Sequence, residues 1–335
     1  MKLGIVGTGT IVEEVLPVLC EKTEISLSAI CSTKRSEEKM HTLKERYHIA
    51  HGYTDYTELL ASSACDTVYI ALPNHLHYDY TRRALEAGKH VIVEKPITSH
   101  IGEANTLAAL AKEKHLFLFE AITTMYNAHY QKVKELLPRI GKIKIISCNF
   151  SQYSRRYDDF LAGNIQPVFD PAKSGGVLMD LNSYNVQYVA GILGNPQRVS
   201  YHTTIEQNID TGGILVLDYP HCNAVCIAAK SSSAPCHCQV QGTEGYILQP
   251  SPANVCGPVE LHLNDGTVEC YDLTPPVTEA APNNSHRMSE EFDAFASAID
   301  SGNYALCEKM LEHSLIVSEI LTKARQSAGI VFPAD

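Results

Sequence analysis

A glycine turn near the start of the chain has the residue types that bind a phosphate group. Gly7-Thr8-Gly9-Thr10-Ile11 follows a short apolar run and opens a helical pattern. Gly7 permits a sharp turn, and Gly9 lets backbone amides approach a pyrophosphate at the helix N-terminus, where unpaired N–H groups and the helix dipole favour an anion. An apolar run before the turn, a helical pattern after it and a second strand at about the expected distance together predict dinucleotide binding.

The loop after the second apolar run bears on which dinucleotide the site would hold. A site for NAD places Asp or Glu there, because a carboxylate binds the adenosine ribose. This loop has no carboxylate and instead offers two hydroxyls and two cations, from Ser32, Thr33, Lys34 and Arg35. A 2′-phosphate would meet donors and positive charge there. The loop favours NADP(H) as cofactor, with NAD(H) possible and an ordinary solvated loop as the alternative.

Three further segments place reactive side chains at the ends of predicted elements. Two of them end apolar runs and face the same crevice as the glycine turn, because ligands of open α/β sheets lie outside the carboxyl ends of strands. Their candidate cofactor contacts are Leu72, Pro73, Asn74, His77, Glu94 and Lys95. We interpret His77 as lining the pocket rather than transferring protons. In the third segment, after Gly175-Gly176, Asp180 and Tyr184 are four residues apart and would share one helix face.

The elements that must position these residues fall into two patterns. The first 120 residues alternate short, continuous apolar runs with amphipathic stretches, which predicts a Rossmann-type, doubly wound parallel sheet with crossover helices. After about residue 122, consecutive strand candidates predict an α+β domain with a large, mostly antiparallel open sheet, and two amphipathic helices follow them. The predicted domains are therefore 1–121 for the dinucleotide and 122–335 for substrate and oligomer contacts.

Composition excludes several classes of protein. With 335 residues, 44% hydrophobic and 19% charged, the chain is long and apolar enough for about two globular domains. A net charge of −11 argues against nucleic acid or an anionic membrane as the main partner. No apolar run reaches the roughly 18 residues of a membrane span. Eleven scattered cysteines without an export signal suggest reduced thiols and a cytoplasmic protein.

These motifs, in this order and spacing, resemble the Gfo/Idh/MocA oxidoreductases, and the resemblance covers essentially the whole chain. Besides the glycine turn and the Pro73-Asn74…His77 segment, the resemblance rests on Glu94-Lys95-Pro96, Phe119-Glu120-Ala121 and the Ser174-Gly175-Gly176…Asp180 segment. Many members carry histidine at the position of Tyr184. A tyrosine there resembles the branch that contains dimeric dihydrodiol dehydrogenase and NADP-dependent xylose dehydrogenase. Asn182 departs from that branch, which usually has glycine there.

The resemblance implies hydride transfer between a nicotinamide and the carbonyl or alcohol carbon of a small sugar, polyol or diol. Reduction of a carbonyl leaves negative charge on oxygen, which needs a proton donor. Tyr184 would be that acid, with Lys95 lowering its pKa from about 10 and polarising the carbonyl. Asp180 would position Lys95 or a substrate hydroxyl. The resemblance also leads us to expect a homodimer as the minimum assembly.

Two alternatives of other classes remain from the sequence. One is a cofactor-dependent glycoside hydrolase of the same fold, and the other is a non-catalytic dinucleotide sensor that binds a protein partner. The polar, aromatic and cationic cluster Tyr153, Arg156 and Tyr157 is a candidate for substrate recognition. We expect no metal, because Cys236-His237-Cys238 lacks the paired knuckles of a zinc site.

Overall fold

The computed structural model describes residues 1–279 and 281–335, which form two compact units. The first unit comprises three segments, Met1–Thr98, Gly102–Ala121 and Pro275–Glu312. The second comprises Ser99–Ile101, Ile122–Thr274 and His313–Asp335. The sequence predicted a single boundary, between domains 1–121 and 122–335. In the structure, Pro275–Glu312 belongs to the first unit instead of the second.

Six parallel strands form the sheet of the first unit. They are β1 (Lys2–Val6), β2 (Ser26–Cys31), β3 (His51–Tyr53), β4 (Thr67–Ile70), β5 (His90–Glu94) and β6 (Leu118–Ala121). Their order across the sheet is β3-β2-β1-β4-β5-β6, with every neighbouring pair parallel. β4 and β6 are buried along their whole length, as continuous apolar strands require when helices cover both faces. This architecture confirms the predicted doubly wound sheet.

Helices connect these strands and continue through the second unit. In the described residues they are α1 (Thr10–Cys20), α2 (Glu37–Arg46), α3 (Tyr56–Ala61), α4 (His77–Glu86), α5 (Ile101–Glu113), α6 (Thr123–Tyr126), α7 (Ala128–Leu136), α8 (Tyr157–Leu161), α9 (Ser183–Leu193), α10 (Ser289–Ser301) and α11 (Tyr304–Ser327). None of the described helices is long and apolar enough to cross a bilayer.

Aromatic packing explains why α10 belongs to the first unit. The ring of Phe292 meets Tyr69 of β4 edge-on, with the ring centres 5.3 Å apart. Phe295, one turn later, lies 4.9 Å from Phe119 of β6. Both phenylalanines are fully buried. The amphipathic pattern of α10 predicts which of its faces is buried but not which sheet covers that face.

The second unit is built on an eight-stranded sheet. Its strands are β7 (Ile143–Ser151), β8 (Arg198–Glu206), β9 (Ile209–Asp218), β10 (Asn223–Ala229), β11 (His237–Gly242), β12 (Gly245–Gln249), β13 (Val259–Leu263) and β14 (Val268–Tyr271). The order is β14-β13-β12-β11-β7-β10-β9-β8, and only β7 and β10 pair in parallel. The predicted large, mostly antiparallel open sheet is confirmed.

Helix α10 buries a carboxyl group that receives no hydrogen bond from the part of the chain that the structure describes. Glu291 is 1% exposed, and neither of its carboxyl oxygens has a hydrogen-bond partner among the described residues. Burial raises the pKa of Glu291 well above its usual value, and the nearby charge of Glu94 raises it further. Glu94 is itself buried and accepts a hydrogen bond of 2.5 Å from Tyr69. The protonated acid is therefore the favoured form of Glu291.

The substitution Glu291→Gln should stabilise the protein by an amount that grows with pH. A carboxyl whose pKa is raised on folding contributes stability that is complete below its unfolded pKa, near 4.5, and is lost as pH rises toward the folded value. The loss is about 1.4 kcal/mol per pH unit, and an amide does not suffer it. Urea unfolding at pH 5 and pH 8 measures the difference. The exposed control Glu308→Gln should show no trend, and a pH-independent effect of Glu291→Gln would contradict the assignment.

Candidate active site

The turn after β1 is possible only with glycine at its first position. Gly7 has φ +119°, and a Cβ there would lie 2.3 Å from the carbonyl oxygen of Ala71. Its N–H donates a hydrogen bond of 2.9 Å to the carbonyl of Cys31. The backbone is therefore packed between the ends of β2 and β4, and no side chain can enter.

Gly9 serves a different purpose from Gly7. It caps α1 with φ −73°, a conformation open to any residue, and a Cβ there would have no atom within 4 Å. Thr10 begins the helix and is exposed, and Ile11 is half-buried. The space in front of the first amides of α1 is thus open to an anion. This open cradle fits the pyrophosphate of a dinucleotide.

A cleft of about 400 Å³ lies at this edge of the sheet. Its lining includes seven of the predicted cofactor residues, Gly7, Thr8, Gly9, Ser32, Thr33, Leu72 and Pro73. It also includes residues that the sequence did not single out, Val6, Cys31, Ser36, Lys39, Thr54, Tyr56, Ala71 and Tyr80. No carboxylate is among the described lining residues. Hydroxyls and one lysine dominate the polar side, which fits a phosphorylated ribose.

Two cations stand beside the cleft without lining it. Lys34 and Arg35 form the 3-10 turn that follows Thr33, and both side chains are exposed. Neither makes an ion pair with any described residue, whereas Lys39 pairs with Glu13 at 3.1 Å. The positive charge of the loop is therefore accessible to an incoming phosphate.

Two stacked tyrosines form one wall of the cleft. The ring of Tyr56 lies 4.6 Å from that of Tyr80, and the guanidinium of Arg83 sits 5.0 Å from the centre of the Tyr56 ring. This cationic and aromatic wall is suited to a flat ring. This wall was not predicted from the sequence. Tyr80 could have indicated it, because it lies in the first turn of α4, which starts at the same sheet edge as the predicted contacts.

His77 joins two loops of the first unit. It is fully buried, and its ring nitrogens lie 2.8 Å from the carbonyl oxygens of Leu72 and Pro96. Burial lowers the pKa of His77. The ring lies between the segment after β4 and the segment after β5; in its neutral form it donates to one of the two carbonyls, and only the protonated ring donates to both. His77 is absent from the described lining of the cleft.

The other predicted contacts of the first unit belong to the two segments between which His77 lies. Asn74 is half-buried in the 3-10 turn before α4. Glu94 ends β5 and turns its carboxylate to Tyr69 in the core. Lys95 follows directly and is half-buried. Lys95 and Tyr184 belong to different units, so their pairing stays a prediction.

In the second unit, a buried aspartate fixes the segment that carries Asp180. Asp210 accepts hydrogen bonds from the Leu178 amide, at 2.7 Å, and from the Tyr201 hydroxyl, at 2.8 Å. Its carboxylate fills the place of a side chain at Gly176, where φ is +106° and a Cβ would come within 2.0 Å. Burial raises the pKa of Asp210, although both of these hydrogen bonds oppose the rise.

Asp180 and Tyr184 follow on one continuous helical segment. Residues Leu178–Asn182 form a π-helical turn that runs into α9. Asp180 pairs with Lys230, with 2.9 Å between Oδ2 and Nζ. Tyr184 is 7% exposed, and its ring centre lies 6.2 Å from that of Phe150. Lys230 was not foreseen, because it ends an apolar strand and precedes a serine-rich loop.

The departure at position 182 has a structural reason. Asn182 is fully buried and donates a hydrogen bond of 3.1 Å to the carbonyl of Cys226 in β10. Its amide oxygen accepts a bond of 2.9 Å from Asn185, which also donates to the carbonyl of Ile227. The two amides fasten the π-helical turn to the sheet. A glycine at position 182 would lack this link.

The predicted substrate cluster divides into buried and exposed members. The hydroxyl of Tyr157 donates to Glu206 at 2.8 Å, and its ring is 7% exposed. Tyr153 is 43% exposed, and its hydroxyl donates to Asp158 at 2.7 Å. Arg156 is exposed. Tyr157 therefore supports the local packing, and the other two side chains face solvent.

The two glycines of the turn give a matched test of the cradle. Gly9→Ala should leave the melting temperature unchanged and weaken dinucleotide binding at least tenfold, because the methyl group enters the open space before α1. Gly7→Ala should lower stability by at least about 1 kcal/mol, because its backbone angle and the Ala71 carbonyl exclude a Cβ. Calorimetric titration with NADPH and thermal unfolding separate the two effects. Unimpaired binding by Gly9→Ala would rule out the pyrophosphate position.

Comparison with known proteins places the chain in a family. Residues 1–122 match the model of an oxidoreductase family with an NAD-binding Rossmann fold, and residues 130–248 match the GFO/IDH/MocA C-terminal domain. The chain is 30% identical to scyllo-inositol 2-dehydrogenase (NADP(+)) of Bacillus subtilis, over 100% of the chain and 99% of that protein. It is 32% identical to D-xylose 1-dehydrogenase (NADP(+)) 2 of Haloferax volcanii, over 98% and 97% of the two chains.

A solved structure shares the fold. The 3-ketoreductase KijD10 from Actinomadura kijaniata, crystallised with NADP and TDP-benzene, superposes with a TM-score of 0.83 at 23% identity, over 98% of this chain and 97% of that one. The expectations of fold and family are thus confirmed. The chain belongs to the Gfo/Idh/MocA family and is an NAD(P)-dependent oxidoreductase.

Proposed function

We propose that the protein prefers NADP and interconverts an alcohol and a carbonyl on a small sugar, polyol or diol. The observation that carries this proposal is the end-to-end similarity to an NADP-dependent inositol dehydrogenase. A xylose dehydrogenase that uses NADP is similar over nearly the same length. The mouse relative, trans-1,2-dihydrobenzene-1,2-diol dehydrogenase, is 27% identical and extends the substrate class to diols.

The loop after β2 supports the choice of NADP. Ser32, Thr33 and Ser36 bring hydroxyls to the cleft, and Lys39 brings a cation. Lys34 and Arg35 add exposed positive charge beside them. A 2′-phosphate is stabilised by such donors, whereas NAD recognition relies on a carboxylate that the described lining of the cleft lacks. The pyrophosphate would lie before α1, and the adenine would lie near Tyr80.

The chain's own side chains are assigned the transfer of one proton to or from the substrate oxygen. A bound nicotinamide supplies or accepts the hydride. The phenol of Tyr184 gives a proton to the carbonyl oxygen in reduction and takes it back in oxidation. The ammonium of Lys95 stabilises the negative charge on that oxygen and favours the phenolate of Tyr184. Asp180 accepts a hydrogen bond from a substrate hydroxyl or from Lys95, and Tyr153 and Arg156 are the proposed outer contacts of the sugar.

An open face of the second unit supports the expected homodimer. Ile145, Ile214 and Val268 lie on the outer side of the eight-stranded sheet and are 44%, 45% and 56% exposed. Tyr246 and His262 stack on the same face, with ring centres 4.5 Å apart. Burying this face against a second copy would remove apolar surface from water. The mass from sedimentation equilibrium should be that of two chains, and a stable monomer would contradict the proposal.

The state of the cysteines supports a cytoplasmic location. All eleven are free thiols, seven of them buried, with no disulfide among the described residues. Reduced thiols are typical of the cytoplasm, where we propose that the protein acts.

A spectrophotometric screen tests the substrate class and the two proposed catalytic side chains. Aldoses, inositols and vicinal diols are incubated with NADP and NAD, and absorbance of the reduced nicotinamide is followed. For the best substrate, Lys95→Ala and Tyr184→Phe should each lower kcat at least a hundredfold, because each removes support for the developing oxyanion. The Kd of Tyr184→Phe for NADPH should stay within about twofold of the wild-type value.

The outcomes of the screen separate the alternatives. The exposed control Lys112→Ala should behave as wild type. Unchanged turnover by Lys95→Ala would overturn the assigned roles. Release of free sugar without net change in cofactor absorbance would favour a glycoside hydrolase, and dinucleotide binding without any turnover would favour a sensor.

Arg35→Ala tests the cofactor preference. Loss of one charge-assisted contact to a phosphate should raise the Kd for NADP about tenfold and leave the Kd for NAD unchanged. Arg46→Ala, an exposed arginine at the end of α2, is the matched control. Calorimetric titration measures both constants. Tighter binding of NAD by the wild type, or unaltered NADP affinity in Arg35→Ala, would contradict the preference.

A further inference from the structure

Lys230 is a buried cation beside the proposed catalytic helix. It follows β10 directly and is 2% exposed. Its ammonium lies 2.9 Å from Oδ2 of Asp180 and donates a hydrogen bond of 2.9 Å to the carbonyl of Val168. It also sits 4.8 Å from the centre of the Phe169 ring. A buried ammonium is tolerated only with such compensation, so the position is specified by several groups at once.

We propose that Lys230 is a positioning residue that keeps the carboxylate of Asp180 ionised and oriented as an acceptor for a substrate hydroxyl. This inference rests on the proposed function and assigns one part of it, the recognition of a hydroxyl other than the reacting one. Lys230 acts through Asp180 and does not itself take part in the proton transfer.

Both ends of the ion pair are fixed by backbone contacts. The Lys230 amide donates a hydrogen bond of 2.8 Å to the carbonyl of Thr211, and its carbonyl accepts one of 2.8 Å from Ser154. Asp180 lies on the π-helical turn that Asp210 and Asn182 fasten to the sheet. The backbone is held at both positions, and the Lys230 side chain is held further by the Val168 carbonyl. A substrate hydroxyl would meet a carboxylate already held in place.

The charges around the pair favour an anionic Asp180. Asp180 retains 28% exposure of its side chain, so its carboxylate borders solvent while its partner does not. Other titratable groups among the described residues of this region include Tyr184, on the same helical segment as Asp180, and Asp210 and Tyr201, which share a hydrogen bond in the interior. The charge of Lys230 opposes the rise in the pKa of Asp210, and the same ammonium lies 2.9 Å from Oδ2 of Asp180. An ionised carboxylate accepts hydrogen bonds only, and this selects hydroxyl donors.

Kinetics of Lys230→Met test the inference on the substrate found by the screen. Its KM should rise at least tenfold with a smaller fall in kcat, and the Kd for NADPH should not change. The acid limb of the pH profile of kcat/KM should move upward by about one pH unit, because a carboxyl without its cation holds its proton more tightly. The double variant Asp180→Asn/Lys230→Met should be no worse than Asp180→Asn alone, since Lys230 acts through Asp180.

Two controls separate this role from simple packing. Lys173→Met removes a more exposed ion pair with Asp170, 3.3 Å long, in the same unit and should leave KM unchanged. Should Lys230→Met fail to fold, Lys230→Gln keeps a donor for Val168 without the charge and makes the same comparison. Unchanged KM and pH profile, or additive losses in the double variant, would overturn the inference.

A measurement without turnover distinguishes this proposal from the proposed function. Carboxyl-labelled aspartate, with Asp180 assigned by its loss in Asp180→Asn, is titrated by carbon-13 NMR. The pKa of Asp180 should be at least one unit higher in Lys230→Met than in the wild type. An unshifted pKa would overturn the ion-pair role even in an active enzyme. A shifted pKa in a protein that turns over no alcohol or carbonyl would support the pair and reject the proposed function.

Discussion

The absence of a side chain at Gly7 is the constraint on which the proposed dinucleotide site depends. The Ala71 carbonyl occupies the space that a Cβ would need, so the end of β4 lies directly against the turn after β1. This contact brings the loops after β2 and β4 to the open N-terminus of α1. Hydroxyls, Lys39 and the tyrosine wall then line one cleft, although they come from separate parts of the chain. Lys34 and Arg35 stand beside it. The proposed phosphate binding depends on this convergence rather than on any single side chain.

In the second unit, a carboxylate occupies the side-chain space of a glycine, as the Ala71 carbonyl does in the first unit. Asp210 occupies the side-chain space of Gly176, holds the first amide of the π-helical turn and is itself held by Tyr201. Asn182 then ties the same turn to β10. These hydrogen bonds join buried polar groups to one another and to the backbone, which makes the arrangement rigid. Asp180 and Tyr184 are consequently presented from a fixed element, which suits the roles proposed for them.

Local patterns in the sequence predicted the parts of the fold that local patterns determine. Continuous apolar runs predicted the parallel sheet, and Gly7 and Gly9 predicted the tight turn between β1 and α1. The return of Pro275–Glu312 to the first unit was missed, because amphipathicity does not name the sheet that a helix covers. Lys230 was missed for a related reason. A lysine after an apolar strand is usually a solvated strand end, and its partner Asp180 is fifty positions earlier in the chain. Asn182 was noticed only as a departure, and its role depends on a strand more than forty positions away.

Transfer of a labelled hydrogen tests the central claim most directly. NADPH that carries deuterium at the reactive carbon of its nicotinamide is incubated with the carbonyl compound that the protein reduces fastest, and the product is examined by mass spectrometry. The account predicts that labelling one face of the ring moves one deuterium to the new alcohol carbon, and that labelling the other face moves none. Product formed without deuterium from either labelled cofactor would contradict direct hydride transfer at this site.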